Sequence, residues 1–228
     1  MSSSGGTSGH AADAHDGSDA SDDALGVRRL GHRTFVGGDG DLWDRIGRLQ
    51  FDFLVARGLR PEHVLLDFAC GSLRAGLHFI PYLDAGNYLG FDKSFDLVHL
   101  GVTQELGHER FLEKRPEFVL NGRFDLSEFS KRPDFAIAQS ILTHLTPDDT
   151  RAALAGIGAI AAPHTRLFAT FFRRDFPHRN PERSHSRLCF YYTADEMRSF
   201  GEASGWRFED LGDWNHPRGQ QMGLYTRA

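Results

Sequence analysis

Two carboxylates stand on either side of a run of small residues. Asp67 leads into Ala69-Cys70-Gly71-Ser72, and Asp92 follows 21 positions after Gly71. Small residues let a ligand approach the backbone where a larger side chain would block it. An acid at that distance, ending the next strand, is placed to accept hydrogen bonds from two ribose hydroxyls. This is chemistry for holding a nucleoside-like cofactor. Farther along, His144 is a candidate general base, with an ordinary pKa of about 6.5 suited to the task; its alternative role is to fix its loop by hydrogen bonding. Residues 173–187 gather five arginines and two histidines against two acids. Arginine suits planar, bidentate capture of carboxylate or phosphate, so Arg174 and Arg179 are candidates to bind an anionic acceptor. A solvated loop would have the same composition. His216, in a second polar and aromatic stretch over 213–218, is a further candidate for the same mouth.

Such residues need a βαβ unit to position them. Val64-Leu65-Leu66 begins an apolar run that reads as a buried strand. Leu73, Leu77, Ile80 and Leu83 recur at helical spacing and predict a helix over 73–83, whose first N–H groups would face the turn. A second strand over 87–91 ends in Asp92. A dinucleotide fingerprint requires glycine at the first, third and sixth positions of the turn. Counting from Ala69, Gly71 fits the third, but Arg74 stands at the sixth, which discounts an NAD-dependent reductase.

The stretch resembles motif I of the class I S-adenosylmethionine-dependent methyltransferases. In that family an acid stands two residues before a small-residue loop (here Asp67, Ala69 and Gly71), and another acid ends the next strand (here Asp92). Ala69 and Leu73 occupy positions where the family usually has glycine; alanine is the smallest replacement, and Leu73 is expected to belong to the helix already begun. The resemblance extends from about Arg28 to the C-terminus. It implies an α/β fold with a Rossmann-like, seven-stranded mixed sheet, the last strand antiparallel, and helices on both faces. It also implies an enzyme with S-adenosylmethionine as cofactor and S-adenosylhomocysteine as product; the carboxylate cluster that a divalent metal would need, as in some O-methyltransferases, is not identifiable in the sequence, so no metal is expected. Asp67, Ala69, Cys70, Gly71 and Ser72 would form the turn around that cofactor, with Asp92 and Lys93 at the ribose. Phe124 and Asp125 would meet adenine, although a helix cap at Asp125 is an equal alternative. Gln139 and Ser140 open the stretch that runs to His144 beyond the fourth strand.

Around this core the chain divides into an acidic tail over 1–26, expected to be disordered, a lid-like helical region over 27–60, and a core domain over 61–228. The tail holds five aspartates and no lysine or arginine; without it, acids and bases balance at 26 each within a net charge of −5. Nothing in that balance suggests a nucleic-acid binder. His10 and His15, in the tail, are read as solvated bystanders. His32 to Gly38 reads as a loop. A helix over 41–57, with Asp41 as a possible cap, puts Trp43 and Gln50 a heptad apart and able to share a cavity, with core packing as the alternative for Trp43. The remaining pattern predicts a helix over 95–107, strands over 116–121, 134–138 and 166–172, helices opened by Thr146-Pro147 and by the capping box at Thr193, and a final strand pair over 206–211 and 220–226.

Two cysteines 119 positions apart give no disulfide framework, and no run approaches the roughly 20 apolar residues of a membrane span, so a cytoplasmic protein with no membrane partner is expected. The oligomeric state stays open, a homodimer being one option. The function these features favour is methylation of a small-molecule acceptor at oxygen or nitrogen, an anionic metabolite or natural-product intermediate being among the acceptors they allow. The alternatives are a methyltransferase acting on protein or nucleic acid, and a non-catalytic S-adenosylmethionine-binding domain. Ala138-Gln139-Ser140-Ile141 stands where nucleic-acid amino-methylating enzymes carry an Asn-Pro-Pro-Tyr type tetrapeptide.

Overall fold

Strands buried on both faces are apolar without alternation, and β1 (Leu65–Phe68) and β4 (Phe135–Ala138) are such strands at the middle of the sheet. The structure, a computed structural model, describes residues 17–38 and 40–228, with side chains from residue 24 onward. β2 (Tyr88–Asp92) and β3 (Glu117–Leu120) continue the sheet on one side of β1. β5 (Arg166–Arg173), β8 (Gln221–Arg227) and β7 (Trp206–Asp213) continue it on the other. The order is β3-β2-β1-β4-β5-β8-β7, parallel through β5, with β8 antiparallel to both neighbours. This is the seven-stranded mixed sheet the sequence implies. A two-residue strand, β6 (Tyr191–Tyr192), is added in parallel to the end of β5 and has no signal in the pattern.

Side chains alternate between two cores. Leu66, Phe68, Leu89, Phe91, Ala136, Ala138, Leu167 and Ala169 face α7 (Pro147–Ile160) and α8 (Ala194–Glu202). Leu65, Tyr88, Phe135, Ile137 and Phe168 face α3 (Leu42–Ala56) and α4 (Gly76–Tyr82). A one-residue slip would turn Leu66 and Phe68 to the wrong layer, so the register is strongly fixed. The helix starts follow their signals. Thr146 and Thr193 each accept a bond from the backbone N–H three residues on, and Glu196 completes the capping box at Thr193; each such cap contributes about 1 kcal/mol.

Several expectations need correction. The chain is helical over α1 (Gly17–Leu30), inside the stretch read as a disordered tail. Val27 is buried, Gly26 packs against the Phe35 ring, and Arg28 and Arg29 complement the helix C-terminus. The rest of the tail, with His10 and His15, lies outside the described residues. His32–Gly37 is a short helix, α2, and not a loop. Asp41 occupies the cap position of α3 without making a side-chain cap bond. The helix after the cofactor turn starts at Gly76, not at Leu73. α5 (Phe95–Leu100) passes into a π-helical turn over Gly101–Leu106, and α6 (His108–Lys114) follows it without having been foreseen. Among the described residues no helix is long and apolar enough to cross a membrane.

Candidate functional site

The end of β1 forms a tight left-handed turn. Ala69, Gly71 and Leu73 have φ of 65°, 53° and 63°. Outside glycine that conformation costs roughly 1–2 kcal/mol per residue. Leu73 therefore does not begin the helix; it holds, under strain, a conformation suited to glycine, while its side chain is fully buried. The turn is tied down from β2. Cys70 N–H donates to the Phe91 carbonyl at 2.9 Å, and Gly71 N–H donates to Asp92 Oδ2 at 2.8 Å. Asp92 Oδ1 accepts from Ser94 N–H at 2.8 Å. The π-helical turn braces the other side: a Cβ on Gly101 would meet the Ser72 carbonyl carbon at 2.7 Å. Lys93 is exposed at the end of β2.

Beside the turn lies a small cavity of about 20 Å³, lined by Val36, Gln50, Asp67, Ala69, Cys70, Arg74, Ala75 and Gln139. Burial raises the Asp67 carboxyl to about 6, opposed by the Tyr88 hydroxyl, which donates to Oδ2 at 2.7 Å. Burial also pushes the Cys70 thiol up, so it stays protonated. Ser72 is fully buried with its hydroxyl unpartnered. Gln50, whose Nε2 donates to the Ile46 carbonyl at 3.2 Å, reaches the cavity as its spacing predicts. Trp43 does not line it. Its ring is core, with the Arg33 guanidinium 4.4 Å from the ring centre, which corrects the pairing of Trp43 with Gln50. Nor do Phe124 and Asp125 line it. Phe124 packs inward, 5.9 Å from the Phe68 ring and 6.4 Å from that of Phe91. Asp125 is exposed and accepts from Ser127 N–H at 3.0 Å, a local turn in place of a helix cap.

Beyond β4 a polar cluster is buried between strand ends. Ser140, at φ 61°, donates its N–H to Thr170 Oγ1 at 2.8 Å. Thr170 Oγ1 and Ser140 Oγ both bond Gln220 Oε1, at 2.7 and 3.0 Å. Gln139 Nε2 lies 2.6 Å from Ser140 Oγ and 3.1 Å from His216 Nε2, and its Oε1 accepts from Arg74 Nη2. Burial, helped by Arg74 and Arg218, lowers His216 to about 4, so this ring is neutral near pH 7. His216 thus belongs to the buried network that also holds Arg74, and not to an acceptor loop in solvent. Neither Gln220 nor Thr170 was singled out from sequence; Thr170 lies within the apolar run of β5 and Gln220 just before β8, and only the strand order brings them to Ser140.

His144 closes the short 3₁₀ turn Leu142–His144 after β4. Its Nδ1 lies 2.8 Å from the Leu188 carbonyl, which can only accept, so Nδ1 carries the proton and Nε2 keeps its lone pair. Burial, ahead of the repulsion from Arg218 and His185, lowers its pKa. The ring is a neutral base. Nδ1 thus fixes the loop, the second of the two roles weighed for His144.

The arginine-rich connection is docked beside this turn. His185 N–H donates to the His144 carbonyl at 3.0 Å and Phe190 N–H to that of Thr143 at 2.9 Å. Ser184 Oγ accepts from Thr146 N–H at 2.8 Å. Arg174 stacks over Tyr191 with 4.5 Å to the ring centre, and with Asp175, Phe176, Pro177 and His178 it lines an open hollow separate from the Asp67 cavity. Arg179 is exposed. Among the described residues no group of three or more His, Cys, Asp or Glu side chains could hold a metal ion.

No family model matches the chain. Solved structures do. A magnesium protoporphyrin IX methyltransferase of Synechocystis with S-adenosylhomocysteine bound is 17% identical, with 92% of this chain and 96% of that chain covered and a TM-score of 0.63. DesVI of Streptomyces venezuelae is 17% identical over 88% of this chain and 98% of that one, with a TM-score of 0.61. Human N-acetylserotonin methyltransferase in complex with S-adenosylmethionine is 15% identical over 89% of this chain and 57% of that chain, with a TM-score of 0.62. Strand order, the antiparallel β8 and these likenesses agree on one architecture: the chain has the Rossmann-like fold of the class I S-adenosylmethionine-dependent methyltransferases.

Proposed function

We propose that the chain binds S-adenosylmethionine and transfers its methyl group to a small-molecule acceptor at oxygen or nitrogen. The observation that carries the proposal is the Asp92 carboxylate, at the end of β2 and bonded to the left-handed turn that ends β1. The residues present fit the cofactor. Asp92 accepts the Gly71 and Ser94 N–H groups, which hold its carboxylate against the turn at the end of β2, where ribose hydroxyls would be bound. Two buried polar groups in and beside the turn, Ser72 Oγ and Arg74 Nε, are without partners. When bound, S-adenosylmethionine supplies an electrophilic methyl carbon, to which an acceptor lone pair bonds as the carbon–sulfur pair returns to sulfur. His144 Nε2 would take the proton the acceptor releases, with Nδ1 held by the Leu188 carbonyl so that the lone pair keeps its aim.

The resemblance of the solved structures, two of which hold the cofactor or its product, supports this function. Calorimetric titration with S-adenosylhomocysteine tests it. Asp92→Ala is expected to weaken binding roughly 10- to 150-fold, the scale of a lost pair of charge-assisted hydrogen bonds. Unchanged affinity in a folded variant would remove Asp92 from the site.

A further inference from the structure

Arg74 is a charged side chain in a place that ordinarily excludes one. It is 6% exposed and lines the cavity beside the β1 turn. Its Nη1 donates to the Val36 carbonyl at 3.2 Å and its Nη2 to Gln139 Oε1. Its Nε–H has no hydrogen-bond partner, and among the described residues the Asp67 carboxyl, which lines the same cavity, attracts the guanidinium without a hydrogen bond between them. Every acceptor it meets is therefore a neutral oxygen. A buried charge without a full set of hydrogen bonds is strongly unfavourable, and Asp67 attracts this one without bonding it. The arrangement makes sense if an anion arrives.

We infer that Arg74 receives the carboxylate of the cofactor's amino-acid end, and that this contact selects a complete S-adenosyl amino acid over the bare nucleoside. The inference rests on the cofactor assignment above. The position agrees with it. Asp92 lies on the β2 side of the turn, whereas Arg74 is bonded across the turn to Gln139 at the end of β4. With ribose at Asp92, the tail of the ligand must run along the turn toward Arg74. The chemistry agrees as well. Nε–H and Nη2–H form one edge of the guanidinium, the edge that grips a carboxylate with two parallel bonds. One of those donors is unused, and the other is given to a neutral amide oxygen that a carboxylate would outcompete. Arginine, always charged and rigidly forked, is the side chain for such capture.

The alternative role is structural, a strut from Val36 to Gln139. Three ligands separate the two: S-adenosylhomocysteine, its decarboxylated analogue, and 5′-methylthioadenosine, which lacks the amino-acid end. The wild-type chain is expected to bind the first roughly 10- to 100-fold more tightly than the second. In Arg74→Met that preference should vanish, while affinity for 5′-methylthioadenosine changes less than about threefold. Arg74→Lys, keeping the charge but not the fork, should retain part of the preference. Preference that survives in Arg74→Met overturns the assignment alone, as does an equal loss for all three ligands, the mark of a strut. Failure of the wild-type chain to bind any of the three overturns the cofactor assignment and this one with it.

Discussion

Asp67 sits where burial works against its charge. Its carboxyl is raised from 3.8 to about 6 mainly by desolvation, with the Tyr88 hydroxyl and the attraction of Arg74 as partial relief. Between those two pH values the folded chain holds a proton that the unfolded chain has lost. Unfolding free energy therefore falls as pH rises through the window, and the whole deficit is present above it. Asp67→Asn keeps an acceptor for Tyr88 and removes the charge. It is expected to stabilise the protein by about 1–3 kcal/mol near neutral pH. The gain over wild type should disappear below about pH 4, where both side chains are neutral. His216 has the opposite slope: its folded pKa is lowered to about 4, so stability is lost as pH falls below the ordinary histidine value. That loss is common to both proteins and cancels in the difference. Urea unfolding at several pH values measures it, and a variant less stable than wild type at neutral pH would show that Asp67 is held as a satisfied anion.

At the scale of elements, α2 is a strap between two glycines. Gly31 and Gly38 have φ of 77° and 83°, and between them Val36 lies over the turn, with its methyls 3.5 Å from where a Cβ on Gly71 would be. Arg33 holds Glu105 of the π-helical turn through two bonds, at 2.6 and 2.5 Å, and His32 joins it at 3.3 Å. Arg218 donates to the Gly37 carbonyl at 2.6 Å. The cavity beneath, about 20 Å³, is far smaller than the roughly 300–1,000 Å³ of most ligand sites. Whole-cofactor binding therefore requires the strap to move and close again. Hydrogen exchange should show the α2 amides opening readily in the free protein and slowing when S-adenosylhomocysteine is added. Protection confined to residues 64–94 would make the strap plain packing. A mobile cover over residues 27–60 was an expectation from the helix with Trp43 and Gln50, and Gln50 was placed rightly because a polar side chain on an apolar face must find a partner. The strap was not legible as a helix. His32-Arg33-Thr34-Phe35-Val36-Gly37 is too short to display a period, and its order comes from Glu105 and Arg218, 72 and 181 positions away.

Across the whole molecule, short apolar runs and strong caps made the strands and most helices readable, and the family resemblance implied the mixed sheet, whereas the polar floor of the site was hidden. Arg74 counted in the sequence only as a departure from a glycine pattern, and its partner Gln139 is 65 positions distant. What the fold does bring together is a neutral base and a cationic rim. Thr143, His144 and Thr146 hold the 184–190 stretch against the end of β4, so the arginine-bearing connection is anchored next to His144 and does not hang free. The chain carries 26 basic residues against 26 acids once the tail is set aside, yet this connection concentrates five arginines with two acids. Arg173 is paired with Asp210 and Arg174 stacks on Tyr191, which leaves Arg179 exposed as the more available charge. An acceptor bearing a carboxylate or phosphate would be anchored there with its nucleophile turned toward His144 Nε2. Steady-state kinetics with such an acceptor should separate the two residues. Arg179→Ala is expected to raise KM more than it lowers kcat, since the anchoring contact is the same in ground and transition states. His144→Ala should lower kcat with little change in KM, and should abolish the acid limb of the kcat profile. In the wild-type enzyme that limb is expected below the ordinary histidine pKa of about 6.5, because burial favours the neutral ring. An acceptor proved to be uncharged, or an acid limb that persists in His144→Ala, would detach the arginine rim or the histidine from the reaction respectively.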